Sequence, residues 1–329
     1  MAVLLKQAFA GRNILYANYE AWLQDRVFHG HTSEDPGRYR IGGSMAASIL
    51  GVGWGSPWSV YREYVDGVGQ TLSPSEVEDC LRGKRMEKVV GDLWQSMTGY
   101  DLHRCSVRVL HSSHTWASVS PDGFVELEGD LVGVEIKTSR EPWKWGLTGQ
   151  VIEEWREGHS NHIIPGRVAA QVYWSMAVTG LKEWIVVVAI PGLAEFLDVR
   201  EYVVKADPAV QIAMLRRISH WRERHLLQKV EPPMDGSRAC RDALSDRFGE
   251  LKSPVRRAEG EEADMIRRYA AINAEIKELT RQKAKLRNEI VAAIADGKGL
   301  TLSSGGKAIL GRPKNRTPML RVSGVKHDG

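Results

Sequence analysis

The sequence is poor in features that would place it in several large protein classes. Only three cysteines occur among 329 residues, Cys80, Cys105 and Cys240. They are far apart and odd in number, which excludes a disulfide framework and a four-cysteine zinc or iron-sulfur set. No apolar run approaches the roughly 18 to 20 residues of a membrane span. Met1 to Ala10 lacks the charged-then-apolar layout of a secretory signal, because Lys6 closes the short run Ala2 to Leu5. There is no low-complexity tract and no internal repeat. A soluble protein of the cytoplasm is the expectation.

Net charge is also small, +4 from 45 basic and 41 acidic residues. Its distribution is uneven. Residues 297–329 hold seven Lys/Arg against one Asp, which leaves 38 basic and 40 acidic residues in the rest of the chain. A near-neutral body with a basic tail fits a polyanion partner, and a solvated tail would look the same. What the chain has in quantity is apolar residues, 43%, and eleven tryptophans. That composition supports a packed core and argues against disorder.

All eleven tryptophans lie at or before Trp221, and the composition shifts near Glu231-Pro232-Pro233. The expected domains are therefore 1–230 and a C-terminal extension, 231–329. In the extension, apolar positions from Ile266 through Ile294 recur every three or four residues, predicting an amphipathic helix over about 264–295. Leu300 to Leu302 and Ala308 to Leu310 flank Ser303-Ser304-Gly305-Gly306 as a small hairpin, followed by the loose end of the basic tail.

The first 230 residues read as mixed α/β. Ser75 and Glu78 have capping-box spacing and open a helix that runs through Glu87 and Trp94 to Gly99. Strand-like runs follow at His103–Leu110, Trp116–Leu127 and Leu131–Thr138. A helix over Val168–Val178 ends at Gly180, and Trp184–Ile190 reads as a buried central strand.

The chemistry concentrates at Pro121-Asp122-Gly123 and Glu135-Ile136-Lys137. On a strand, the period of two sends Glu135 and Lys137 to one face. Asp122, at the turn into the adjoining strand, can add a second carboxylate there. Two carboxylates with a backbone carbonyl between them form an oxygen-rich site suited to Mg²⁺. A neighbouring lysine can orient water, and the set suits metal-assisted phosphodiester hydrolysis. An exposed charge pair and an ordinary Asp-Gly turn are the plainer readings of the same residues. The apolar strand around Glu135 weighs against them, because charges there need partners.

Asp122, Glu135 and Lys137 match the PD-(D/E)xK nuclease signature. Four more segments, Ile41-Gly42-Gly43-Ser44 leading to Ile49-Leu50-Gly51, Gly83-Lys84-Arg85-Met86-Glu87, Ser120-Pro121-Asp122-Gly123, and Gln171 through Gly180, resemble the YqaJ-type viral recombinases related to the phage lambda exonuclease. They follow the family's order over about residues 38 to 190. The resemblance implies a restriction-endonuclease-like core, a central mixed sheet flanked by helices. It implies Glu87, Asp122, Glu135 and the Ile136 carbonyl as ligands of one or two Mg²⁺ ions, for which Mn²⁺ could substitute. Lys137 and Gln171 would position water, and Ser44 with Arg40 or Arg38 would receive a DNA 5′ phosphate.

The implied activity is 5′-to-3′ digestion of linear duplex DNA, leaving 3′ overhangs for recombination. Double-stranded DNA ends, a single-strand annealing protein and a homo-oligomeric ring, such as a trimer, are the implied partners. An endonuclease or junction-cleaving enzyme on the same core is the enzymatic alternative, and a non-catalytic DNA-binding factor is the other. Several motifs carry less. Gly51-Val52-Gly53-Trp54-Gly55 lacks the spacing of a nucleotide cradle. His111-x-x-His114 and His159-x-x-His162 lack partner pairs for zinc. Trp143, Trp145 and Trp155 read first as packing residues.

Overall fold

A computed structural model describes residues 39–66, 74–104, 108–152, 163–191, 197–248, 254–303, 305–311 and 319–325. The chain divides into two compact units, 1–250 and 251–329. In the first unit the described helices are α1 (Gly43–Ile49), α2 (Pro57–Asp66), α3 (Pro74–Thr98), α4 (Gly166–Thr179), α5 (Pro208–Trp221) and α6 (Arg238–Phe248). Its strands are β1 (Val109–Leu110), β2 (Ser118–Val119), β3 (Gly123–Leu127), β4 (Asp130–Thr138), β5 (Gln150–Ile152), β6 (Glu183–Pro191) and β7 (Leu197–Lys205).

β3, β4, β6, β7 and β5 form one sheet in that order, and β1 and β2 form a separate antiparallel pair. β4 and β6 run parallel, β3 is antiparallel to β4, and β7 is antiparallel to β6. This is the mixed α/β core with flanking helices that the sequence leads one to expect. β6 is central and buried from Trp184 to Ile190. Its side chains alternate between two cores, as a period of two requires. Trp184, Val186, Val188 and Ile190 join the core built on α4, whereas Ile185, Val187 and Ala189 join the one that holds Val90 and Trp94 of α3.

Glycine permits two close approaches. A Cβ at Gly133 of β4 would lie 2.3 Å from the Trp184 ring, and one at Gly91 of α3 would lie 3.0 Å from Ile136. The bulky indole and the helix therefore press onto β4 where a larger residue would hold them off. α4 ends at Gly180, whose φ of 73° gives it the left-handed cap that glycine adopts without steric cost.

The expected break at 231–236 differs from the observed division after residue 250. Trp58 Nε1 of α2 donates to Glu231 Oε1 at 2.7 Å, Arg247 of α6 pairs with the same carboxylate at 2.8 Å, and Cys240 is buried. These contacts tie the tryptophan-free stretch to the first unit despite its altered composition. The second unit consists of α7 (Gly260–Ile294) and an antiparallel sheet of β8 (Gly299–Thr301), β9 (Lys307–Gly311) and β10 (Met319–Ser323). The expected hairpin is present and gains a third strand from the tail. Among the described residues, no helix is long and apolar enough to cross a membrane.

Candidate active site

Glu87, Asp122, Glu135, Lys137, Gln171, Ser44 and Arg40 line a single cavity of about 220 Å³ at one end of the sheet. Each arrives for a local reason. In β4, Ile136 points into the apolar core under α3, so Glu135 and Lys137 take the opposite face. They pair with each other, and both are largely shielded, with 12% and 29% of their side chains exposed.

Asp122 leaves the ladder just before β3 begins, where the antiparallel register stops at Gly123 opposite Val134. Ile136 N–H donates to Asp122 Oδ2 at 2.7 Å, so the carboxylate occupies the position that the next strand residue would have filled. Glu87 shares the inner face of α3 with Gly91 and Trp94, one and two turns on. The close approach at Gly91 brings that face to the cavity instead of to solvent. Gln171 sits on α4, where Gly43 lets α1 pass: a Cβ there would be 3.6 Å from the Gln171 backbone.

The electrostatics are those of crowded carboxylates. Burial pushes the Asp122 carboxyl up to about 8, with the Glu135 and Glu87 charges adding and Lys137 and the Ile136 N–H opposing. Burial pulls the Lys137 ammonium down, but Glu135, Asp122 and Glu87 together outweigh that and raise it. The buried Gln171 Oε1 accepts no hydrogen bond.

An all-oxygen donor set with surplus negative charge suits a hard divalent cation. Among the described residues, no three His, Cys, Asp or Glu side chains are already gathered as a finished cage. Asp122 and Glu135 are held instead by the Ile136 N–H and Lys137, which a cation would have to displace or share.

Arg38 lies outside the described residues, whereas Arg40 lines the cavity beside Ser44. The cavity also contains Arg108, Ser118, Ser120 and Ser175, which the sequence pattern did not single out. Arg108 is only 7% exposed. It had a signal: a lone arginine in the apolar run Val107 to Leu110 needs a partner as much as Glu135 does. Ser118 and Ser120 keep the parity of Asp122 along one extended segment.

The secondary motifs separate. His111 Nδ1 accepts from the backbone N–H groups of Ser113 and His114, both at 3.1 Å, and so closes a turn. Trp145 is buried and stacks on Tyr202, whereas Trp143 is exposed. Trp155, His159 and His162 lie outside the described residues.

An Asp before one strand, a Glu-x-Lys on the next and a sheet flanked by helices define a core of the PD-(D/E)xK kind. Residues 21–182 match the model of the YqaJ-like viral recombinase domain, and over that segment the chain is similar to this family. A search of curated sequences finds no match. Solved structures with a distant likeness include an alkaline exonuclease from Laribacter hongkongensis, with a TM-score of 0.44 and 15% identity over 64% of this chain and 94% of that one. Another is a phage related exonuclease from Haemophilus somnus 129PT, with a TM-score of 0.37 and 9% identity over 63% of this chain and 94% of that one.

Proposed function

We propose that the chain is a Mg²⁺-dependent deoxyribonuclease that digests linear duplex DNA from its 5′ ends and leaves 3′ overhangs for recombination. The observation that carries this reading is the convergence of Glu87, Asp122, Glu135 and Lys137 on one cavity, with Asp122 raised to about 8 by burial and its acidic neighbours. Such crowding is unfavourable for the fold alone and is relieved when a divalent cation shares the oxygens. Asp122, Glu135, the Ile136 carbonyl and Glu87 would hold the ion. When bound, Mg²⁺ supplies Lewis-acid polarisation of the scissile phosphate and stabilises the departing 3′ oxygen.

The protein's own groups perform the positioning. Lys137 Nζ, anchored by Glu135, holds water on the side of the phosphate opposite the leaving oxygen. Gln171 offers an amide with an unused acceptor to fix the same water. Ser44, Arg40 and Arg108 supply a hydroxyl and guanidinium groups for a terminal 5′ phosphate, and guanidinium geometry matches phosphate in bidentate contact. The family match supports a recombination role, in which the overhang passes to a single-strand annealing protein. Self-association into a ring is part of the proposal.

Purified protein with Mg²⁺ should release mononucleotides from linear duplex, and Glu135→Gln or Lys137→Ala should lower that rate by at least about a hundredfold, the scale of losing an electrostatic or acid-base contributor. Full activity in both variants would remove the site. Cutting of covalently closed circles would favour an endonuclease, and faster release from hydroxyl ends than from phosphorylated ends would reverse the assignment of Ser44, Arg40 and Arg108.

A further inference from the structure

The glycine-rich segment Gly51 to Gly55 is too irregular for a phosphate cradle, yet it is held rigidly. Val52 N–H and Gly53 N–H both donate to Ala47 O, at 3.0 and 2.9 Å, and Gly55 N–H donates to Ser48 Oγ at 3.2 Å. A Cβ at Gly53 would lie 2.5 Å from Ser48 N, so only glycine allows the segment to lie this tightly on α1. The residue held out by this clasp is Trp54, which is 73% exposed, although six other described tryptophans are buried. The guanidinium of Arg167, from the first turn of α4, lies over its ring at 4.5 Å from the centroid. Ser44, Ser48, Trp54, Glu63, Arg167 and Gln171 line a recess of about 370 Å³, and Ser44 and Gln171 also line the acidic cavity.

We propose that Trp54, braced by Arg167, is a stacking platform for a nucleobase of the DNA strand whose phosphate occupies the adjoining cavity. The inference rests on the nuclease reading and assigns to it a base-contacting subsite. A wholly structural tryptophan would bury its ring, because its apolar area is what stabilises a fold. Here one ring face carries a cation and the rest faces solvent. An indole in this state stacks on any base, since every base presents a π face, and Arg167 can meet the adjacent phosphate while keeping its place on the ring. The pinned backbone means that little conformational freedom is lost on binding. The contact would hold an end whose terminal base has left its pair, fixing the backbone that Ser44 and Gln171 address.

The test uses full-length protein and duplex carrying 2-aminopurine as the 5′-terminal base, with Ca²⁺ replacing Mg²⁺ so that the complex persists. Parent protein should quench the fluorescence. Trp54→Ala should abolish the quenching and weaken end binding about tenfold, Trp54→Phe should restore most of both, and Trp143→Ala, which removes the other exposed tryptophan of the described residues, should leave both intact. With Mg²⁺, the rate penalty of Trp54→Ala should shrink to below about twofold on a duplex whose terminal nucleotide is abasic, because no base is left to stack. Equal penalties on normal and abasic ends, or unchanged quenching in Trp54→Ala, would overturn the platform while leaving the nuclease intact. Absence of Mg²⁺-dependent cleavage by the parent on either substrate would overturn the nuclease reading, and the quenching comparison would still decide whether Trp54 meets a base.

Discussion

Helices α4 and α7 both follow from apolar spacing in the sequence, yet they end in opposite environments. α4 has 14 residues, of which eleven are buried. α7 has 35 residues, of which Ile294 alone is buried, while Ile266, Tyr269, Ile272, Ile276, Leu279 and Leu286 of its stripe stay more than half exposed. Periodicity reports which residues share a face; it does not report what covers that face. In α4 the cover comes from α1, the β2 segment and α5, and the nearly continuous apolar run from Val168 to Val178 is the sign of burial on every side. The one half-buried interior position of that run, Gln171, is the polar residue that opens on the cavity. In α7, charged residues separate the stripe, and helical hydrogen bonding together with exposed pairs such as Glu278–Arg281 accompanies the helix without a core.

The largest expected effect of that contrast is on stability. Trp174→Ala in α4 removes a fully buried indole that donates to Ser118 O at 3.0 Å, and should cost about 3–5 kcal/mol in urea unfolding. Ile272→Ala in α7 should cost below about 1 kcal/mol, and equal losses would break the comparison.

Gly133→Ala should come next. The added methyl meets the Trp184 ring and should destabilise the fold by about 1–3 kcal/mol. Because Glu135 and Lys137 ride on the same strand, cleavage should fall with it. A variant of unchanged stability would show that β4 and Trp184 are less tightly packed than the sheet requires.

Asp122→Asn separates activity from stability. The wild-type carboxyl, raised to about 8 in the fold, binds more protons there than in the unfolded chain, so stability falls as pH rises from about 4 through 8. The amide does not titrate and can still accept from the Ile136 N–H. The metal-free variant should therefore melt above the parent at pH 8 and converge with it near pH 4, while losing cleavage. A variant that melts lower at pH 8 would contradict the crowding.

The smallest effect concerns the tail. Removing residues 297–329 should flatten the salt dependence of DNA binding, by about 0.9 in the logarithmic slope for each phosphate that the tail neutralises, without touching the acidic cavity. An unchanged slope would show that the basic residues of the β8–β10 sheet and its flanks neutralise no phosphate.

Much of the cavity was legible because its logic is local. Glu135 and Lys137 follow from strand parity, and Asp122 follows from its turn. Glu87 required the family resemblance, because nothing in the helix pattern says that Gly91 lets its face approach the sheet. Arg108 was readable by the rule applied to Glu135. Trp54 was not, since only the three-dimensional clasp on α1 distinguishes an exposed tryptophan from a packed one. The domain break moved because Glu231 bonds to Trp58, 173 residues away in sequence, and composition carries no trace of such a contact. Of the His103–Leu110 run, the described residues show a bridge at His103 and the short β1, and residues 105–107 lie outside the described residues.

The proposed nuclease chemistry requires that the carboxylates of the first unit form one cation site. Calorimetric titration of the metal-free protein with Mn²⁺ tests it directly: the parent should show saturable binding that Glu135→Gln weakens more than tenfold, whereas equal binding by the two proteins, or none by the parent, would contradict it.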